Sequence, residues 1–179
     1  MGNPQSFIHW LACRFLPVTM IVAMGFGGVA PGVASADNQS QTVAAAAVKQ
    51  VKVNELLNFL AQNHGKVILV NFFAAFCGPC RKEIPELMRL RKEIPEKDLL
   101  IVGVAIDETI AEASRFIKSL GIQDAYPVFY GGDEVSRAYR IDAIPFNVVY
   151  NRQGHIEASE AGYVPIPELK KFLMTLIRR

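Results

Sequence analysis

Two cysteines separated by Gly78 and Pro79 are the residues of this chain best suited to chemistry. They follow the apolar run Val67-Ile68-Leu69-Val70-Asn71-Phe72-Phe73-Ala74, which reads as a buried strand. They precede a charged, helix-like stretch that opens on Arg81-Lys82-Glu83. A strand that hands Cys77 and Cys80 to the start of a helix is an arrangement for thiol–disulfide exchange. The unpaired N–H groups and positive dipole end of a helix N-terminus stabilise a thiolate, and the thiolate is the attacking species. Zinc is the rival use of paired cysteines, but a structural zinc asks for four ligands. The remaining cysteine, Cys13, and His9 lie in an apolar leader, and His64 and His155 lack paired metal-knuckle spacing. Redox chemistry is therefore favoured over metal binding. A purely structural disulfide would close a loop too short to constrain much of the unfolded chain.

The elements that must hold this pair follow from periodicity. Glu55-Leu56-Leu57-Asn58-Phe59-Leu60 suits a short amphipathic helix capped by Asn54 and ended by His64-Gly65. The strand from Lys66 to Ala74 is apolar on both faces, as expected of a central strand covered by helices. A helix from about Pro79 to Arg91 should kink at Pro85, and a second strand spans Leu99 to Ile106. Ile110, Ala113, Phe116, Ile117 and Leu120 mark one face of a helix that stops at Gly121. Pro127–Tyr130 reads as a short strand and Glu134–Tyr139 as a brief helix. Phe146–Tyr150 and His155–Ser159 flank the turn Asn151-Arg152-Gln153-Gly154 as an antiparallel pair. A last helix from Pro167 presents Leu169, Phe172, Leu173, Leu176 and Ile177. The order predicts an α/β domain of three layers, α/β/α.

The 179 residues suffice for one domain with a core, preceded by a leader. Phe15 to Val33 carry no charge, Arg14 precedes them, and Ala34-Ser35-Ala36 has the small-x-small form of a cleavage site. Residues 1–36 read as a secretory signal peptide, with an uncleaved membrane anchor as the alternative; Pro17, Pro31 and several glycines make a poor permanent helix. Residues 37–48, rich in Ala, Gln and Ser, read as a flexible linker, and 49–179 as the folded domain. Beyond the leader the formal charge is +1 and both remaining cysteines belong to the CxxC. An exported chain of that kind does not use disulfides as staples, and nothing in its charge suggests a nucleic-acid partner.

Taken together, CGPC after a strand, a proline-bearing helix, Ile144-Pro145, a hairpin and a final helix resemble the thioredoxin fold, with a mixed central sheet. More narrowly, VNFFAAFCGPCRKEIPEL and AYRIDAIPFNVVYNRQG are similar to exported thiol–disulfide oxidoreductases of the TlpA and ResA type. The extra helix and strand between Asp107 and Tyr130 fit the insertion of that branch. The resemblance implies that Cys77 is the exposed attacking cysteine and Cys80 the buried resolving one. It implies a cis Pro145, beside Ile144, that packs against the disulfide and receives the substrate backbone; a trans proline leading into a strand is the plainer reading. Glu83, one helical turn after Cys80, corresponds to an active-site glutamate that exchanges a proton with Cys80. The plainer reading is a solvated glutamate paired with Arg81 or Lys82. Asn71 stands where cytoplasmic thioredoxins carry a buried aspartate, which removes one candidate base. Phe76 replaces the usual tryptophan and is either an apolar lip beside the sulfur or simple packing.

The expected reaction is attack of Cys77 on a protein disulfide, then of Cys80 on Cys77, with no organic cofactor. Strong oxidants of this fold carry histidine between the cysteines. Gly-Pro points instead to a reductase, near about −270 mV rather than about −120 mV. A reductant outside the cytoplasm needs recharging, which implies a membrane-bound electron donor and allows a role in cytochrome c maturation by analogy. Two alternatives belong to other classes. A peroxiredoxin-like peroxidase needs a Pro-x-x-x-Thr-x-x-Cys context that Cys77 lacks. A copper-binding chaperone of this fold spaces its cysteines wider and adds a distal histidine, whereas His155 reads as a hairpin residue.

Overall fold

The computed structural model describes residues 48–179, so the predicted leader and all but the last residue of the linker lie outside the described residues. Strand β1 (Lys49–Gln50) leads into helix α1 (Val53–Ala61), then β2 (Val67–Phe73), α2 (Gly78–Glu93), β3 (Leu99–Ala105) and α3 (Ile110–Leu120). A 3-10 turn (Ile122–Asp124) is followed by β4 (Val128–Tyr130), α4 (Gly132–Ala138), the hairpin β5 (Phe146–Tyr150) and β6 (Ile156–Ala161), and α5 (Ile166–Ile177). The six strands form one sheet in the order β1-β4-β3-β2-β5-β6. The first four lie parallel to their neighbours, and β5 and β6 run antiparallel, so the sheet is mixed as expected.

Strand alternation assigns the two faces. In β2, Val67, Leu69 and Phe73 join a core that includes Ile84 and Leu87 of α2, Phe116 of α3 and Leu173 of α5. Ile68, Val70 and Phe72 point the other way, into a core with Leu56 and Leu60 of α1 and Val135 of α4. All of β2 is buried, which explains its nearly unbroken apolar run. The same alternation puts Asn71 on the α2 face. Its antiparallel partner in register, Asn147 of β5, shares that face, since Val149 two residues on does so too.

Three local readings need correction. The first helix begins at Val53, not after an Asn54 cap: the Glu55 carboxylate accepts the Lys52 N–H at 2.7 Å, and the Asn54 side chain takes the Glu55 N–H at 2.9 Å. A glutamate reaching back to the residue before the helix competes well for that N–H. Helix α2 continues through Pro85 to Glu93, two residues beyond the predicted end. Phe172, predicted on the buried face of the last helix, is 37% exposed, and Leu169, Leu173 and Leu176 carry the packing. Gly121 does end α3, with φ +65° and its N–H on the Ile117 and Lys118 carbonyls.

Candidate active site

Strand β2 ends at Phe73, and the four residues that follow are pinned from several sides. The Cys77 N–H donates to the Ala74 carbonyl at 3.1 Å, and the Ala75 N–H donates to the Asp107 carboxylate at 2.6 Å. Arg81 donates to the Ala75 carbonyl at 2.6 Å while its guanidinium lies 4.6 Å from the Phe116 ring centre. This loop delivers Cys77 to the N-cap of α2, with Pro79 inside the first turn, where a missing N–H costs nothing. Cys77 and Cys80 are disulfide-bonded, and the Cys77 sulfur accepts the Cys80 N–H at 3.1 Å. The sulfur thus already occupies the position where a helix N-terminus favours negative charge.

Cys77 retains 5% of its surface and Cys80 none. Cys77, expected to be exposed, is instead almost wholly buried in the disulfide form, and the two cysteines differ only by that small remainder. Phe76 beside Cys77 is 76% exposed, so its ring is not packed into the core. The Ile144–Pro145 peptide is cis. Because Phe146 pairs with Phe72, Pro145 sits level with the end of β2 that feeds the cysteines, and Ile144 packs against the core that contains both of them. One part of the expectation for Pro145 changes: it has no N–H, and its carbonyl already accepts the Gly162 N–H at 2.7 Å. The backbone of Ile144 has no such bond among the described residues.

Glu83 is fully buried, so the reading of a solvated glutamate paired with Arg81 or Lys82 fails. Arg81 is spent on Ala75, and the Lys82 ammonium lies 4.1 Å from the Tyr163 ring centre. The Glu83 carboxylate instead accepts N–H bonds from Asn71 and Asn147, each at 2.9 Å, and a longer one from the Val164 N–H at 3.4 Å. The Asn71 amide also donates to the Asn147 carbonyl oxygen at 2.9 Å. Burial pushes the Glu83 carboxyl above the usual glutamate range and Glu86 adds to the rise, while Asn147, Val164 and Asn71 pull it back. Asp107 is likewise buried and raised, chiefly by desolvation, against the lowering effect of the Ala75 N–H. A buried carboxyl raised above its usual range, one helical turn from a buried cysteine, is of the kind that can exchange a proton with its neighbours.

Of the predicted residues, Phe76, Cys77, Cys80 and Glu83 come together at the start of α2, and Ile144 and Pro145 enter from the β5 side at the same end of the sheet. Asn147 and Asp107 were not singled out from sequence. Asn147 left a trace: a polar residue at an inward position of the apolar strand Phe146–Tyr150 must find a buried partner, as Asn71 must in β2. Among the described residues, no group of three or more His, Cys, Asp or Glu is placed to hold a metal ion, and His155 is an exposed turn residue.

The family model named Redoxin matches residues 34–173, which include every residue of this site. The chain belongs to the Redoxin family. It is 31% identical over 114 residues to the thiol-disulfide oxidoreductase ResA of Oceanobacillus iheyensis, a match covering 64% of this chain and 59% of that protein. This chain thus spans less than two thirds of that relative's length. Similarity to the sporulation thiol-disulfide oxidoreductase A of Bacillus subtilis is lower, 25%, but covers 85% of this chain and 92% of that one. Among solved structures, a thioredoxin-family thiol:disulfide interchange protein from Chlorobium tepidum superposes with a TM-score of 0.58 at 28% identity, covering 65% of this chain and 83% of its own. A thiol-disulfide isomerase from Corynebacterium glutamicum gives 0.60 at 22% identity, covering 66% and 86%, a likeness of fold. The thioredoxin-like fold expected from sequence is therefore the fold of this member of the family.

Proposed function

We propose that this Redoxin-family protein is a protein-disulfide reductase acting outside the cytoplasm through the Cys77/Cys80 dithiol. The observation that carries the reading is the disulfide at the N-cap of α2, with the Cys77 sulfur on a backbone N–H, Cys80 fully buried, and a buried carboxyl, Glu83, one helical turn further along. In the reduced protein, the Cys77 thiolate attacks one sulfur of a substrate disulfide. The S–S bond breaks, one substrate thiolate leaves, and Cys77 is joined to the other substrate sulfur. Glu83 takes the proton of the Cys80 thiol. The Cys80 thiolate then attacks the Cys77 sulfur, closes the intramolecular disulfide and releases the second substrate thiolate. Phe76 offers the substrate an apolar contact. Ile144 offers its backbone N–H and carbonyl, held in place by Pro145. The dithiol is itself the redox group, so no organic cofactor is required.

The Gly-Pro pair between the cysteines supports the reducing direction, and similarity to ResA and the sporulation oxidoreductase supports thiol–disulfide exchange as the activity. The uncharged segment Phe15–Val33 and the small-x-small site at 34–36 support export, by a cleaved leader or an anchor. Among the described residues, no helix is long and apolar enough to cross a membrane. Recharging by a membrane-bound electron donor follows from the oxidising compartment, and cytochrome c maturation is one task that fits. Insulin reduction tests the activity. Cys77→Ser should abolish it, and Cys80→Ser should accumulate a mixed disulfide with the substrate. Full activity of Cys77→Ser, or no trapped adduct with Cys80→Ser, would overturn the assignment.

A further inference from the structure

Three side chains that are almost wholly shielded from water, Asn71, Glu83 and Asn147, close a ring of hydrogen bonds around a carboxylate one helical turn after Cys80. We propose that Asn71 and Asn147 are positioning residues for the proton-transfer step: their carboxamides hold the Glu83 carboxylate in one place and in its ionised, proton-accepting form. This rests on the proposed role of Glu83 and adds to it the groups that make the role possible.

One N–H of Asn71 faces one Glu83 oxygen, the other faces the Asn147 carbonyl oxygen, and the Asn147 amide nitrogen faces the second Glu83 oxygen. These three N–H groups all meet an acceptor only when both Glu83 oxygens are free of a proton. A protonated Glu83 meets N–H groups on both oxygens, and the one unpartnered acceptor of the ring is the buried Asn71 carbonyl oxygen. The Glu83 O–H must point out of the ring, or the Asn71 amide must turn to offer that oxygen and so set it against the Asn147 carbonyl oxygen. Once Glu83 is ionised, both amides bond to a charged acceptor, and each bond is then of the stronger, charge-assisted kind. The ring thereby opposes burial, which disfavours the charged carboxylate.

The placement is built into the sheet. Asn71 and Asn147 are register partners on adjacent central strands, so the pair is fixed by backbone pairing before either side chain is considered. The other groups facing Glu83 are Glu86 one turn on in α2, Tyr126 after the 3-10 turn and Tyr163 before α5, with Cys80 one turn back. None of these is a cation, and the further N–H bond to the carboxylate, from Val164, is long. Of the groups that favour the ionised form, the two carboxamides therefore hold the shortest contacts.

The test is a single-turnover measurement of the Cys80 attack. Cys77 is joined to a chromogenic aromatic thiol, and its release is followed against pH in the unsubstituted protein, Asn147→Ala, Glu83→Gln and the double variant. Asn147→Ala should move the midpoint of the acid limb upward by about one pH unit, a loss of about tenfold at fixed pH below it. The rate on the alkaline plateau should be retained. In the Glu83→Gln background the same substitution should move nothing. An unmoved midpoint with Glu83 present, or an equal shift in both backgrounds, would overturn the positioning role. If Glu83→Gln alone kept the unsubstituted pH profile, the base assignment itself would fall, a different and separable result. Should Asn147→Ala not fold, side-chain amide NMR of the unsubstituted oxidised protein decides the matter. The Asn71 and Asn147 amide resonances should shift with the same midpoint as the Glu83 carboxyl carbon, and amides indifferent to that titration would contradict the proposal.

Discussion

Replacing Glu83 by Gln exchanges one buried oxygen for an amino group and leaves the shape of the side chain almost unchanged. Glu83 and Cys80 are both fully buried, so a base dissolved in water has no ready path to the Cys80 thiol. A positioned general base contributes roughly 10²–10⁴ in rate. The lower end is expected here, because Cys80 also lies in the first turn of α2 and gains some thiolate character from it. At neutral pH Glu83→Gln should therefore slow the Cys80 attack by about 10²-fold, equivalent to about 2.7 kcal/mol in the barrier. Stopped-flow release of an aromatic thiol from Cys77 reads this step apart from substrate binding. Rates within about threefold of the unsubstituted protein at neutral pH would refute the reasoning, because that is far less than a general base supplies.

Further expectations concern stability and packing. Glu83 and Asp107 are raised by burial, so the folded chain holds their protons more tightly than the unfolded chain does. Their contribution to stability is thus present below the ordinary carboxylate value and is lost as pH rises through their elevated folded values. Urea unfolding from about pH 4 to pH 8 should show the unsubstituted protein losing ground to Glu83→Gln as pH rises, and a gain would contradict the sign. Leu87→Ala empties a fully buried position between α2 and the sheet and should cost about 2–5 kcal/mol in urea unfolding. Gly131→Ala would bring a new carbon to 2.8 Å from the Val135 Cβ and 2.9 Å from a Val104 methyl. It should destabilise by about 1–3 kcal/mol, read as a lowered urea midpoint, and an unchanged midpoint would show that the contact relaxes freely.

What the sequence made legible was local. Cys77-Gly78-Pro79-Cys80 between an apolar strand and a charged helix carries its own chemistry, and Gly121 carries its own helix stop, because each depends on neighbours along the chain. What stayed hidden depends on distant partners. Strand β1 is only Lys49 and Gln50, a strand solely because Phe129 and Tyr130 lie alongside, and no period of two can be read from two residues. Asn71 was visible as an amide in an aspartate's place, but its meaning lies in Glu83 and Asn147, 12 and 76 positions away. Asp107 marked only the start of the inserted helix and strand, although its carboxylate anchors Ala75, 32 positions earlier, at the entrance to the cysteine loop. The fate of Glu83 was open for the same reason: Arg81 and Lys82 were its neighbours in sequence, and tertiary contacts took both elsewhere.

The most direct test of the account is alkylation of the reduced protein with a limiting amount of iodoacetamide across a pH series, with peptide mapping of the label. The account predicts that Cys77 takes the label ahead of Cys80, with a midpoint below the ordinary thiol value of about 8.5. Labelling of Cys80 first, or a Cys77 midpoint at or above that value, would contradict it.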